Sequence, residues 1–286
     1  MIPFELVEPR TLREAASLLA SGDPAVRPLA GGTAVMLMMK MGVLRPARLV
    51  SLRAVERRCS EIREADGELR LGAMVTLSAL ERSPIVKNLA PVIVRASRTL
   101  SNVRVRNVAT VGGHLAHADP HMDLPPVLIA LGASVTTVDP EGGRTIPLET
   151  LYAGYLETAL RSNELIAEVS VPVQGVRRAA YLKCTTRSAD DWPALGVAVV
   201  LDTEGDAVRE ARIVVSAATD TPTRLSAAEE ALRGARADEK ILRRAGEAAA
   251  AAANVVGDEH GSAAYKRELL RVYLARAVKQ ALASKG

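Results

Sequence analysis

The sequence has very few aromatic residues. Its 286 residues include one Phe, one Trp and five Tyr. Proteins that hold single-stranded nucleic acid stack the bases on aromatic side chains, and such side chains are scarce here. The net charge of +4 arises from interspersed basic and acidic residues, which is typical of a solvated surface. The composition therefore predicts no nucleic-acid partner.

Cysteine and long apolar runs are also scarce. The two cysteines, Cys59 and Cys184, are too few for a disulfide framework or for an iron–sulfur cluster held by this chain alone. No run reaches the roughly 18 apolar residues that span a bilayer. The start of the chain, Met1 to Glu5, lacks the basic and apolar regions of a signal peptide. We therefore expect no membrane span and a cytoplasmic location.

Several catalytic motifs are missing too. The sequence lacks the Gly-x-Ser-x-Gly elbow of the α/β hydrolases. It also lacks a P-loop and the Gly-x-Gly-x-x-Gly fingerprint of a Rossmann fold. A serine hydrolase and the two commonest nucleotide-binding motifs are thus disfavoured.

The patterns that are present divide the chain near residue 175 into two domains of an α+β fold. Residues 1–174 predict a two-part domain, with a small β–α–β unit over about 1–55 and a larger mixed α/β unit over 56–174. Residues 175–286 predict a three-stranded antiparallel sheet followed by a three-helix bundle.

Local signals predict some of the elements. Thr11 and Glu14 form a capping box at the start of a helix. Apolar spacing of three and four residues predicts one helix over residues 85–100. The alternation of Val with Arg and Asn predicts an extended segment over 101–110. Asp123 or the prolines that follow it are expected to start a further helix, whose apolar run covers 127–131.

Two glycine pairs carry most of the functional information. Ala30-Gly31-Gly32-Thr33 and Thr110-Val111-Gly112-Gly113-His114 each follow an apolar stretch. Glycine allows backbone N–H groups to approach a ligand closely, and Thr33 stands where a helix begins. A glycine-rich turn at a helix N-terminus binds anions. Two such segments predict one extended ligand, such as a dinucleotide diphosphate.

A histidine-rich segment allows a second interpretation. His114, His117 and His121 lie close to Asp119 and Asp123, and imidazole with carboxylate is a ligand set for zinc or iron. Ligands at every second or third position require a backbone that wraps one ion. The alternative is a loop that lines a ligand, in which Asp123 accepts hydrogen bonds from hydroxyl groups. We expect no metal site on this chain, but the metal interpretation stays open here.

The glycine pairs and the segment Asp119-Pro120-x-x-Asp123-Leu124-Pro125-Pro126 together resemble a known family. They are similar to the FAD-binding medium subunit of the xanthine dehydrogenase and carbon monoxide dehydrogenase group of molybdenum hydroxylases. The resemblance extends over the whole chain, because Tyr181-Leu182-Lys183 and Asp190-Asp191-Trp192 look like the start of that subunit's C-terminal domain.

The resemblance implies a non-covalent FAD and a set of residues that bind it. The backbone around each glycine pair would wrap the diphosphate, and Thr33 and Thr110 would add hydroxyl donors. Asp123 would bind ribose or ribityl hydroxyls, and Leu165 or Ile166 would contact the cofactor through the main chain. Lys183 would approach the flavin ring edge, and Trp192 would stand beside the ring. The cofactor-binding residues implied in this way are Ala30, Gly31, Gly32, Thr33, Ala34, Leu100, Thr110, Val111, Gly112, Gly113, His114, Asp123, Leu165, Ile166, Lys183 and Trp192.

The resemblance also implies an electron-transfer role in a larger complex. Electrons would come from a molybdenum cofactor on a large subunit through 2Fe-2S iron–sulfur clusters on a small subunit, and would leave for NAD or a quinone-like acceptor. A dimer of heterotrimers is the implied assembly. The alternatives are a self-sufficient flavin oxidoreductase with Asp190 or Asp191 as base, a nucleotide-binding scaffold without redox activity, and the metal-binding protein described above.

Overall fold

The computed structural model describes residues 2–284, and its first unit is a small parallel sheet with two helices. The elements alternate along the chain as β1 (Glu5–Val7), α1 (Leu12–Leu19), β2 (Val26–Leu29), α2 (Thr33–Lys40) and β3 (Arg48–Ser51). The strand order is β1-β3-β2, and both pairings are parallel. Parallel neighbours need crossover helices, and α1 and α2 are those helices.

Helix α1 begins where the capping box predicts. The amide of Glu14 donates to Thr11 Oγ1 at 3.0 Å. The Glu14 carboxylate accepts from the amide of Arg10 at 2.8 Å, one residue before the position that a standard box uses. The helix start therefore rests on side-chain acceptors that the local sequence supplies.

The larger unit is built on a five-stranded antiparallel sheet of order β4-β5-β10-β6-β7. The strands after β3 are β4 (Ile62–Ala65), β5 (Glu68–Gly72), β6 (Ser134–Val138), β7 (Thr145–Pro147), β8 (Tyr152–Gly154), β9 (Glu157–Thr158) and β10 (Leu165–Pro172), of which β8 and β9 form a separate hairpin. The helices are α3 (Leu77–Arg82), α4 (Pro84–Leu89), α5 (Pro91–Ser97), α6 (Val103–Arg106), α7 (Val111–His117) and α8 (Leu124–Leu131).

Two local predictions in this unit were wrong. The helix expected over 85–100 is two helices, because Ala90, which precedes Pro91, leaves the helical region with φ −149° and ψ 66°. The segment expected to be extended contains α6, because Asn102 Oδ1 caps it by accepting from two amides. Helix α8 begins at Leu124, directly after Asp123, as the sequence indicates, since the prolines in its first turn need no hydrogen-bond donor.

The C-terminal domain has an antiparallel sheet of order β11-β12-β13-β14 and three helices. Its elements are β11 (Arg178–Cys184), β12 (Leu195–Glu204), β13 (Ala207–Ser216), β14 (Thr223–Arg224), α9 (Ser226–Leu232), α10 (Glu239–Ala252) and α11 (Ala263–Ala283). The predicted three strands and three helices are present, and the two-residue β14 adds a fourth strand at the sheet edge.

The C-terminal sheet is covered on both faces. Val197, Val199 and Leu201 belong to the core that this sheet shares with α9–α11. Ala198 and Val200, at the alternate positions of the same strand, belong to the core of the larger N-terminal unit. This alternation follows from the two-residue period of a strand. As a result, the two domains pack against each other over an apolar surface. No helix within residues 2–284 is both long and apolar enough to cross a membrane.

Candidate functional site

The first glycine segment forms the turn between β2 and α2. Gly32 is the N-cap of α2 with φ 75°, and no side chain caps the helix. Among the described residues, no backbone carbonyl accepts from the amides of Gly31 to Val35. The segment is only half-buried, so these amides are accessible to a ligand. A row of free N–H groups at a helix N-terminus is suited to an anion.

Both glycines of this segment are sterically required. A Cβ on Gly31 would lie 2.1 Å from the carbonyl oxygen of Val108 and 2.8 Å from Cα of Ala109. The positive φ of Gly32 disfavours any residue with a Cβ. The turn therefore lies directly against the chain that leads into the second glycine segment.

The second glycine segment is helical, which corrects the expectation of a loop with free amides. Thr110 caps α7, and its Oγ1 accepts from the amide of Gly113 at 3.2 Å. The amide of Val111 donates to Val75 O at 2.9 Å, and that of Gly112 donates to Ala73 O at 2.8 Å. The amide of His114 donates to the carbonyl of Thr110. These four amides have protein partners, so wrapping of a diphosphate by them is not supported.

Gly112 and Gly113 instead allow close approach. A Cβ on Gly112 would lie 2.6 Å from the Cβ of Ala73, and one on Gly113 would lie 3.3 Å from the Cβ of Ala30. The two glycine segments are therefore neighbours in space, as one extended ligand requires. The Thr110 hydroxyl accepts one hydrogen bond and retains its own proton for donation.

Asp123 and Lys183 meet in a buried polar network between the two domains. Asp123 Oδ2 accepts from Lys183 Nζ at 3.2 Å, and its Oδ1 accepts from the hydroxyl of Tyr181 at 2.5 Å. Lys183 Nζ also donates to the carbonyls of Thr99 and Asp191, at 2.7 and 3.1 Å. All three ammonium protons thus have acceptors, and these contacts join the two domains.

Burial shapes the electrostatics of this network. Removal from water raises the pKa of Asp123, and the neighbouring Lys183 and Tyr181 oppose that rise. The pKa of Tyr181 lies well above 10, because burial and the adjacent Asp123 both disfavour its anion. Tyr181 therefore remains a hydrogen-bond donor. Its hydroxyl is a partner of Asp123 that the sequence interpretation missed.

Trp192 lies on an irregular segment before β12 and is 46% exposed. Its backbone amide donates to Asp191 Oδ1 at 2.9 Å. Asp190 accepts from the hydroxyl of Ser188 at 2.6 Å. Both candidates for the base of a self-sufficient oxidoreductase, Asp190 and Asp191, therefore make contacts within the loop.

The indole of Trp192 stacks on His121. The ring centroids are 5.4 Å apart and the planes differ by 8°. His121 in turn contacts carboxylates at both ring nitrogens, Asp119 Oδ1 and Asp258 Oδ2, each at 2.9 Å. Sequence reasoning missed Asp258, because it lies 137 residues from His121 and no local motif marks it.

The histidines do not converge on a metal. The described residues contain no group of three or more His, Cys, Asp or Glu side chains that could hold an ion. His121 is occupied by its two carboxylates. His114 is buried, and burial lowers its pKa to about 3, with His117 adding to the effect. The arrangement of these described side chains therefore gives no support to the metal interpretation.

The remaining implied residues line the cores beside the glycine segments. Leu165 belongs to the same apolar cluster as Ala30. Ile166 belongs to the cluster that holds Leu100 and Val111. The first two residues of β10 therefore belong to two different apolar clusters, each of which includes a residue from one glycine segment.

Each of the two parts of the chain matches a known family model. Residues 2–174 match the family model described as the FAD binding domain in molybdopterin dehydrogenase. The chain belongs to this family. Residues 180–281 match the model of the CO dehydrogenase flavoprotein C-terminal domain.

Relatives of this FAD-binding subunit match over nearly their full length. The carbon monoxide dehydrogenase medium chain of Afipia carboxidovorans is 31% identical over 99% of both chains. The glyceraldehyde dehydrogenase medium chain of Sulfolobus acidocaldarius is 27% identical over 97% of this chain and 98% of the relative. The solved structure of carbon monoxide dehydrogenase from Hydrogenophaga pseudoflava, which lacks the Mo-pyranopterin moiety of the molybdenum cofactor, matches with a TM-score of 0.95 at 33% identity over 100% of both chains.

These matches confirm the family resemblance, the α+β fold class and FAD as the cofactor. They also confirm that the chain is a subunit of an oxidoreductase of the molybdenum-containing dehydrogenases. The residues present fit FAD at the start of α2, because the accessible amides of Gly31 to Val35 have no backbone acceptor among the described residues.

Proposed function

We propose that this FAD-binding subunit transfers electrons between two partner subunits and an external acceptor. Electrons would arrive from 2Fe-2S clusters on a small subunit, which receives them from a molybdenum cofactor on a large subunit. They would leave for NAD or a quinone-like carrier. Residues 1–174 would hold FAD, and residues 175–286 would form the second domain.

The observation that carries the proposal is the row of free amides from Gly31 to Val35. A helix N-terminus combines orphan N–H groups with a partial positive charge. The diphosphate is the part of FAD that needs such donors. We therefore assign the diphosphate to the start of α2, with the Thr33 and Thr110 hydroxyls beside it. In this assignment the second glycine segment contributes a close-packed wall rather than amide donors.

FAD supplies the ability to exchange electrons both singly and in pairs. The residues of this chain bind and orient it. Trp192 offers a half-exposed flat surface for the ring. We assign Asp123 and Lys183 to the wall that joins the two domains, because their polar atoms are bonded to one another and to buried protein groups.

An exposed apolar strip at the C-terminal end of α2 supports an interaction with partner subunits. Leu37 lies on α2, Met41 is the C-cap one turn later, and Val43 follows. Their exposed fractions are 57%, 68% and 69%. Contiguous apolar side chains of this kind mark interaction surfaces. The relatives named medium chain support an assembly with a smaller and a larger chain, and we propose a dimer of heterotrimers.

The first test measures the binding of FAD, FMN and riboflavin to the purified full chain by flavin fluorescence. We expect one FAD per chain, weaker binding of FMN and the weakest binding of riboflavin, because only FAD has the diphosphate. Equal affinity for FAD and riboflavin would overturn the assignment of the amides.

The second test uses the complex obtained by co-expression with the neighbouring genes. We expect the complex to contain iron, molybdenum and FAD, and its substrate to bleach the flavin absorbance. A complex that omits this chain should not reduce the external acceptor. Absence of FAD both in the chain and in the complex would refute the proposed function.

A further inference from the structure

Five side chains from distant parts of the sequence meet beside the proposed flavin-facing surface. We call Asp119, His121, Trp192, Asp258 and Lys266 the His121 cluster. Asp258 Oδ2 accepts both from His121 Nε2 at 2.9 Å and from Lys266 Nζ at 2.5 Å. Lys266 is completely buried and also donates to the carbonyl of Ala217 at 2.7 Å. The cluster therefore joins the loop before α8 to the loop before α11 and to α11 itself.

The geometry requires a protonated imidazole. An ionised carboxylate is only an acceptor, and a neutral imidazole has one N–H group. Both ring nitrogens of His121 lie 2.9 Å from carboxylate oxygens, so a neutral ring would leave one lone pair facing a negative oxygen. With the imidazolium, the charges of Asp119, His121, Asp258 and Lys266 sum to zero in a buried volume.

The carboxylates are oriented before they meet the ring. Asp119 Oδ1 also accepts from the backbone amide of His121 at 2.8 Å, and Asp258 Oδ1 accepts from the amide of His260 at 2.8 Å. The His260 ring packs against His121 at a tilt of 58°. Each carboxylate thus presents one fixed oxygen to the imidazole.

The titration of His121 follows from these neighbours. Burial acts to lower its pKa, but hydrogen bonds and charges from Asp119 and Asp258 outweigh burial and raise it above 6.5. The pKa values of both Asp119 and Asp258 are lowered, because hydrogen bonds to His121, and to Lys266 for Asp258, outweigh burial. His117 acts on Asp119 through space. The charged groups that face His121 are thus two carboxylates, with Lys266 behind one of them.

The face of the Trp192 indole ring lies against the His121 imidazolium. A cation within about 6 Å of an indole face is attracted to the ring, and the parallel stack with His121 meets that condition at 5.4 Å. The Trp192 backbone is held by Asp191, but half of the residue is exposed. The stack on His121 is therefore the aromatic contact that defines where the indole lies.

We propose that His121 is a positioning residue that fixes the indole of Trp192 while protonated and releases it when deprotonated. The imidazolium is clamped between Asp119 and Asp258, so its plane sets the plane of the indole. Loss of the proton breaks one of the two carboxylate contacts and removes the cationic attraction. The consequence for flavin access rests on the proposed function, whereas the stack and its titration do not.

Tryptophan fluorescence tests this directly, because Trp192 is the only Trp in the chain. A protonated imidazole in ring contact quenches indole emission by accepting an electron from the excited state. Emission of the flavin-free full chain is recorded from pH 5 to 9 with selective excitation of Trp. We expect emission to rise in one step centred above pH 6.5, and we expect His121→Gln to abolish the step.

His260→Gln is the matched control, because it removes a neighbouring imidazole that does not stack on Trp192. It should retain the step. If His121→Gln fails to fold, as judged by circular dichroism, Asp119→Asn serves instead. That variant keeps the imidazole and removes one carboxylate, so the step should move to lower pH.

A step that persists in folded His121→Gln, or a step that Asp119→Asn leaves in place, would overturn the proposal. Flavin binding is measured separately on the same variants. A parent chain that binds FAD but shows no step would contradict only the positioning role, and a parent chain that shows the step but binds no FAD would contradict only the proposed function.

Discussion

A negative charge at the first residue of α2 should weaken FAD binding without harming the fold. Thr33 begins this helix, and the amides around it have no backbone acceptor among residues 2–284. A carboxylate at a helix N-terminus interacts favourably with the helix dipole, by about 0.3–1 kcal/mol. Thr33→Glu should therefore fold at least as well as the parent chain, while its charge lies where the diphosphate is assigned.

The size of the effect follows from Coulomb's law. For one phosphate charge about 6 Å from the new carboxylate, with an effective dielectric constant of about 20, the repulsion is about 3 kcal/mol. An energy of this size corresponds to roughly a 100-fold increase in Kd. Salt screens exposed charges over about 8 Å at physiological ionic strength, so the loss should shrink as salt is added.

The assay is calorimetric or fluorescence titration with FAD at two salt concentrations. Thr33→Gln is the control for shape, because it has similar length without the charge. Ser226→Glu is the control for charge, because Ser226 is the exposed first residue of α9 in the other domain. Both controls should bind FAD within a few-fold of the parent. Thr33→Gln also removes the Thr33 hydroxyl, which accounts for a difference within that range.

Parent-like affinity in folded Thr33→Glu would refute the placement of the diphosphate at this helix. An equal loss in Thr33→Gln would mean that shape or the hydroxyl, and not charge, controls binding. A loss that is insensitive to salt would contradict the electrostatic reasoning in the same way.

Three further predictions concern stability. Lys183→Met should lower the free energy of unfolding, measured with urea, by about 3–5 kcal/mol, because it leaves Asp123 as a buried unpaired charge. Adding Asp123→Asn should recover part of that loss. Strictly additive losses in the double mutant would contradict the ion pair. Gly112→Ala should destabilise the fold by about 1–3 kcal/mol, because its Cβ would lie 2.6 Å from the Cβ of Ala73. Gly142→Ala is the control and should be neutral, because no atom lies within 4 Å of its Cβ. Similar melting temperatures for the two variants would count against this packing. Because the pKa of His121 is raised in the fold, its protonation stabilises the fold fully below pH 6.5, and this contribution should be lost as pH rises through the folded-state pKa. The denaturant midpoint should therefore fall across this range more in the parent than in His121→Gln. Parallel pH profiles for the two proteins would refute the assignment.

Two features were predicted from the sequence because they depend on neighbouring residues. The capping box at Thr11 and the turn that precedes α2 each arise within a few residues. The break between α4 and α5 could also have been predicted, since the residue before a proline is conformationally restricted. The regular apolar spacing across Pro91 favoured a single helix instead.

The state of the amides in the two glycine segments was not predictable in the same way. Both segments contain a glycine pair and a threonine, yet of the two only the first retains amides without a backbone acceptor. The difference arises because the carbonyls of Ala73 and Val75, on the chain after β5, reach the start of α7 and accept its amides. Similar sequence signals thus led to two different backbone environments.

The sequence by itself determined the order of the elements, the helix caps and the glycine turns, because these depend on local backbone preferences and on apolar periodicity. Tertiary structure alone decided that Lys183 is enclosed by three acceptors and that His121 lies between Asp119 and Asp258. The physical reason is desolvation. A charged side chain changes its role when folding removes its water, and the partners that replace that water come from distant parts of the chain.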